Sequence, residues 1–221
     1  FQRIGLEFVG PITFVFFRFF ISSSVFILSA CFLLLTSLSH GSTILILGDS
    51  FSAGYGMRID EGWVKLLSED ISPKYEIFNA SISGDTTQGG VSRLPKLLSS
   101  VSPDYVIIEL GGNDGLRGQP LSSMRENIER MIKLCIDEEI TPILFKMRIP
   151  PNYGKRYSSA FEKVYSDIIS KLNVHSISFE FELLLTEPGM IQSDGMHPTS
   201  KAQDFIKNAV KKSLKDLIHD L

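Results

Sequence analysis

"ILILGDSFSAGYG", residues 44–56, begins as an unbroken apolar run and ends as a glycine-rich loop. The run has no polar alternation, so it reads as a strand covered on both faces, as strands of parallel sheets are. Gly48-Asp49-Ser50 follows at once. Ser50 then sits at the carboxyl end of the strand, its amide opening a turn or helix where it can donate to an anion. Asp and Ser are equally ordinary as helix caps and turn formers. By itself the triplet is better read as a cap than as chemistry.

Outward from this strand the pattern repeats. Short apolar or β-branched runs at 43–47, 75–78, 105–110, 141–147 and 174–177 alternate with segments of helical period at 61–71, 87–100, 122–139, 153–172 and 201–218. Strand alternating with helix implies a parallel sheet with right-handed crossovers. The expected fold is α/β, a three-layer α/β/α sandwich on a flavodoxin-like parallel sheet of about five strands. Sites in such sheets form at the carboxyl ends of the strands. Residues 42–221 read as one domain, without repeats or linkers.

The 221 residues carry a formal charge of −3, which makes no electrostatic case for a nucleic-acid partner. Residues 1–41 read as a signal peptide or N-terminal membrane segment. They are almost wholly apolar from Ile12 to Leu38, and Ser39-His40-Gly41 offers a small-x-small cleavage site. The expectation is an exported, periplasmic protein. The alternative is an anchor through the same segment, which is long enough to span a bilayer despite Arg18. Leu28-Ser29-Ala30-Cys31 has the form of a lipoprotein box, but the apolar run after Cys31 speaks against lipidation. Of the two cysteines, Cys135 lies in helical register with Met124, Ile128 and Met131, which reads as core.

Four loops carry unusual chemistry. After the first strand comes Asp49-Ser50. After the second, Asn79 to Thr87 includes Gly84, whose backbone can approach a ligand closely. After the third, Gly111-Gly112-Asn113-Asp114 presents a neutral amide, a good donor to a developing oxyanion. Glu109, just before it, ends an apolar strand, is expected to be partly buried and needs partners. Before the last helix, Asp194 and His197 stand three apart, a spacing that lets a carboxylate hold one imidazole nitrogen and leave the other free. Each loop also has an ordinary reading as a turn or cap, as His175 and His219 have as surface turns. Together the four supply the parts of acyl transfer.

At this point the chain resembles a known family. Gly48-Asp49-Ser50, Gly84, Gly-Gly-Asn113-Asp and Asp194-x-x-His197 match, in order, the four motif blocks of the SGNH (GDSL) hydrolases. The stretches "NASISGDTTQGGVSRLP", "ELGGNDGLRG", "RIPPNYGKRY" and "DGMHP" look like the bacterial periplasmic thioesterase, lysophospholipase and arylesterase branch. The resemblance runs from about Thr43 to the end of the chain. It implies Ser50 as nucleophile, His197 as base, Asp194 as its orienting acid, and an oxyanion hole from Ser50, Gly84 and Asn113. It implies a mobile substrate loop with Arg148, Ile149, Pro150 and Tyr153, stiffened by Pro150-Pro151 and hinged at Gly154. Asp49 is a further candidate for substrate binding.

No cofactor or metal is implied. The implied substrate is a small acyl ester, thioester or lysophospholipid, with transient membrane-lipid contact and a monomeric state as further expectations. Two rivals remain at this point: a carbohydrate acetylesterase of the same fold, and a flavodoxin-like binding module. The second lacks a phosphate-loop lysine and leaves Asp194 and His197 without a purpose.

Overall fold

The run 44–47 is apolar throughout because it pairs on both edges and is covered on both faces. In the computed structural model, which describes residues 41–71, 73–218 and 221, β1 (Ser42–Gly48) lies between β2 (Tyr75–Asn79) and β3 (Tyr105–Glu109). β4 (Thr141–Phe145) and β5 (His175–Ile177) extend the sheet beyond β3. All neighbours pair in parallel, in the order β2-β1-β3-β4-β5. Ile44 to Leu47 and Val106 to Ile108 are completely buried at the centre.

The helices are α1 (Ser50–Ala53), α2 (Trp63–Ile71), α3 (Thr87–Val101), α4 (Gly112–Leu116), α5 (Leu121–Asp137), α6 (Lys155–Leu172), α7 (Phe181–Thr186) and α8 (Ser200–Lys215). Two groups form: α3 packs on α5 and α5 on α6, while α2 packs on α8. Right-handed crossovers from a sheet of this order place these groups on opposite faces, the expected three-layer sandwich. On α5, Met124, Ile128, Met131, Ile132 and Cys135 form one buried stripe, as their spacing predicts.

Differences from the sequence reading are local. The helix expected from residue 61 begins at Trp63, because Ile59–Glu61 is a 3₁₀ turn closed by Gly62. The one expected from 153 begins at Lys155, after a second 3₁₀ turn at Pro151–Tyr153. β4 stops at Phe145 because its outer partner β5 has only three residues. Met147 and Ile149 stay apolar because they are buried beyond the strand. His175 opens β5 and is not a turn residue, and His219 lies outside the described residues.

Gly41–Leu221 form one compact unit. The expectation of a signal or anchor in residues 1–41 falls, except for Gly41, outside the described residues. Among those described, no helix is long and apolar enough to cross a membrane.

Candidate active site

The order β2-β1-β3 reverses direction at β1, and in an open sheet the crevice forms at such a switch point, outside the carboxyl ends of the strands. β1 hands its chain to Asp49, which caps α1 by accepting the Phe51 N–H at 3.0 Å. Ser50 is the first residue of α1. β3 hands its chain through Gly111, at φ 117°, into α4, which carries Asn113. A Cβ at Gly111 would run into the Tyr165 hydroxyl, so only glycine turns the chain here.

The loop after β2 is tied to the end of β1 by one side chain. Arg93 pairs with Asp85 at 2.7 Å and donates to the Ala80 carbonyl and, at 3.3 Å, to the Gly48 carbonyl. This anchors the loop that carries Gly84 beside Ser50. The Gly84 carbonyl accepts from Arg117 at 2.9 Å, and its N–H has no hydrogen bond within the described residues. Asp114, also buried, accepts both the Thr87 N–H (2.9 Å) and the Thr87 hydroxyl (2.6 Å). It thereby fastens the Asn113 turn to the start of α3.

The fourth loop closes over these. Ile191 and Pro198 form an antiparallel bridge, and Gln192 donates to the carbonyls of Tyr55 (2.8 Å) and Pro198 (2.9 Å). His197 is delivered with Nε2 3.0 Å from Ser50 Oγ and Nδ1 2.6 Å from Asp194 Oδ2. Asp194 Oδ1 accepts the backbone N–H groups of Met196 (2.9 Å) and His197 (3.0 Å). Burial would raise the Asp194 carboxyl, but the backbone and ring bonds from His197 outweigh it and hold the group down to about 2. The Tyr55 ring lies over the imidazole at 4.4 Å between centroids.

Ser50, Gly84, Asn113 and His197 all line a single cavity of about 530 Å³. Phe51, Leu116, Met147, Ile149, Phe181 and Leu184 make much of its wall apolar. Arg148, Ile149 and Pro150 line it as well, and Arg148 pairs with Glu182 and, at 3.7 Å, with Glu162. Tyr153 does not line it: its hydroxyl donates to the Leu116 carbonyl at 3.1 Å, so it supports a wall residue from behind. Asp49 touches the cavity, but it is 3% exposed and both its oxygens are engaged by the protein. Glu109 is fully buried, not partly, because α1 and the Ser81 loop close over the end of β3. Among the described residues no cluster of His, Cys, Asp and Glu suits a metal ion.

Tyr55, Gln192 and the α7 residues of the wall carry no motif and were not read from the sequence. Tyr55 alone gave a signal, as an aromatic in a glycine-rich loop after the first strand.

A serine, an imidazole and a carboxylate in one hydrogen-bonded line, at the carboxyl edge of an open parallel sheet, form the class of site found in serine hydrolases. A family model described as GDSL-like Lipase/Acylhydrolase matches residues 46–205. The chain is 41% identical over 187 residues to an arylesterase of Vibrio mimicus, covering 83% of this chain and 94% of that relative. It is also 41% identical over 179 residues to a thioesterase 1/protease 1/lysophospholipase L1 of Escherichia coli, covering 80% and 86%. A crystal structure of the psychrotrophic esterase EstA from Pseudoalteromonas, inhibited by monoethylphosphonate, superposes with a TM-score of 0.76 at 40% identity, covering 79% of this chain and 97% of that one. The protein belongs to the GDSL-like lipase/acylhydrolase family.

Proposed function

We propose that the protein hydrolyses carboxylic esters and thioesters of apolar acyl groups through an acyl-enzyme on Ser50. The observation that carries this is the line Asp194–His197–Ser50, at 2.6 and 3.0 Å, opening into an apolar cavity. Ser50 Oγ attacks the acyl carbonyl carbon as its proton passes to His197 Nε2. The carbonyl oxygen becomes an oxyanion held by the N–H groups of Ser50 and Gly84 and the Asn113 amide. His197 returns the proton to the departing alcohol or thiol. Water, deprotonated by His197, then attacks the Ser50 ester, and His197 returns that proton to Ser50 Oγ as the acyl–Oγ bond breaks and the carboxylic acid leaves. Asp194 stays ionised and steadies the imidazolium.

The apolar wall favours acyl chains over acetylated sugars, whose hydroxyls need polar partners. The names of the relatives suggest aryl esters, acyl thioesters and lysophospholipids as substrates to try, and a lysophospholipid would bring the protein against lipid. We also read the protein as exported on the strength of the apolar segment 12–38, and as acting as a monomer. Cell fractionation and sedimentation test these two points.

The central experiment is Ser50→Ala. It is expected to lose about 10⁴-fold or more in turnover of a chromogenic acyl ester and all labelling by a fluorophosphonate, with the fold intact. Retained activity would remove the assignment. A panel of acyl-CoA, lysophospholipid and acetylated sugar then ranks the substrate classes.

A further inference from the structure

Two carboxyl groups lie buried behind Ser50, and the relay uses neither. Asp49 is 3% exposed and Glu109 is completely buried, and the two interact directly. Among the described residues no Lys, Arg or His forms an ion pair with either. Two ionised carboxylates side by side, without a cation and away from water, repel strongly, so such a pair keeps one charge.

The hydrogen bonds decide which group keeps it. Asp49 uses both oxygens as acceptors: Oδ1 takes the Phe51 N–H at 3.0 Å and Oδ2 takes Asn113 Nδ2 at 2.9 Å. Glu109 gathers its donors on one oxygen, with the Asp49 N–H at 3.1 Å and the Ser52 hydroxyl at 2.7 Å, both on Oε2. Its Oε1 is buried without a partner and is the place for a proton. Burial, and then the Asp49 charge, push Glu109 well above the usual carboxylate range. Burial raises Asp49 too, but the Phe51 N–H and the Asn113 amide pull it back.

An ionised carboxylate only accepts hydrogen bonds, whereas a primary amide has a donating and an accepting end. Beside Asp49, then, the Asn113 amide can meet its neighbour only through Nδ2. With one N–H engaged, the second hydrogen on that nitrogen is left for the cavity that Asn113 and Ser50 share. We propose that Asp49 is a positioning residue: its carboxylate turns the Asn113 amide so that an N–H, and not the carbonyl, meets the oxygen of the substrate, while neutral Glu109 steadies that carboxylate. This rests on the reading of Asn113 as an oxyanion donor.

The test is a double-mutant cycle on a chromogenic acyl ester, with kcat and KM measured separately. Asn113→Ala is expected to lower kcat by about 10²–10³-fold. Asp49→Asn, which removes the acceptor-only constraint at constant shape, is expected to lower kcat by at least about tenfold and to leave KM within about threefold. If Asp49 acts through Asn113, adding Asp49→Asn to Asn113→Ala costs less than about threefold more. Losses that multiply, or a wild-type rate in Asp49→Asn, overturn the proposal. A wild-type rate in Asn113→Ala instead removes the oxyanion reading itself, and the proposal with it, so the two failures are told apart.

A measurement on the unaltered protein covers the case in which Asp49→Asn does not fold. The ¹⁵N-labelled Asn113 side chain, assigned by its loss in Asn113→Ala, is expected to show two distinct amide protons. One should be shifted downfield and protected from exchange. Two protons at the ordinary shifts of a side-chain amide, both exchanging as freely as in an exposed one, would overturn the proposal.

Discussion

Asp194→Asn is nearly isosteric, and the bonds around residue 194 decide which way the new amide points. Oδ1 accepts two backbone N–H groups, at 2.9 and 3.0 Å. Only the amide carbonyl can replace it there. The NH₂ group then takes the place of Oδ2, 2.6 Å from His197 Nδ1. A donor at that point makes Nδ1 the acceptor and moves the ring proton to Nε2, 3.0 Å from Ser50 Oγ. The nitrogen that must take the serine proton then already holds one. In triad hydrolases the wrong tautomer lowers kcat by about 10⁴-fold, or about 5.5 kcal/mol of transition-state stabilisation.

Steady-state hydrolysis of a p-nitrophenyl acyl ester measures this, with near-UV circular dichroism as the check on folding. KM is expected to hold. Asp194→Ala removes the carboxylate without imposing a donor, so it is expected to lose less than Asp194→Asn. A folded Asp194→Asn enzyme within tenfold of wild type, or an alanine variant slower than the asparagine variant, would refute the tautomer argument.

Three further outcomes are expected. A Cβ at Gly115 would lie 2.6 Å from Phe161 Cε2 and 2.8 Å from Ile149 Cγ2, both on buried side chains. Gly115→Ala should therefore cost about 1–2 kcal/mol and lower Tm by roughly 2–8 °C by calorimetry. Burial pushes the Cys135 thiol up to about 12, so at pH 8 it is a thiol, not a thiolate. Iodoacetamide should modify the Cys135 peptide in guanidinium and not in native protein, as read by mass spectrometry. Asp194, held down to about 2, adds stability above the ordinary carboxylate value that is lost as pH falls towards 2. The Tm gap between wild type and Asp194→Asn should therefore narrow from pH 7 to pH 3, and stay small because this carboxylate is 39% exposed and solvent-screened.

The sheet was legible because buried parallel strands must be apolar on both faces, and the runs of the inner strands β1, β3 and β4 stand out for that reason. The half-exposed edge strands β2 and β5 show only through their alternation with helices. Their ends were less so. Met147 and Ile149 extend the apolar pattern past β4, but they serve the cavity wall, and periodicity does not separate the two uses. The short helices α1, α4 and α7 were missed because four to six residues cannot show a 3.6-residue period. They form from capping and chain reversal instead. Tyr153 was read with its loop, yet it points its hydroxyl at the Leu116 carbonyl and not into the cavity. Side-chain direction after a proline turn leaves no mark in residue order.

By itself the sequence determined the sheet, the carboxyl edge as the place to look, and the residue types gathered there. Local physics does this much: apolar runs need burial, and glycines, Asp and Asn mark where a strand must turn. Tertiary structure decided what residue types cannot. It brought residues 50 and 197 within 3.0 Å, and it set two carboxyls side by side at positions 49 and 109. The charge state of that pair, and with it the direction of the Asn113 amide, follows from burial and from who donates to whom. Both depend on chain segments about sixty residues apart meeting in a place without water.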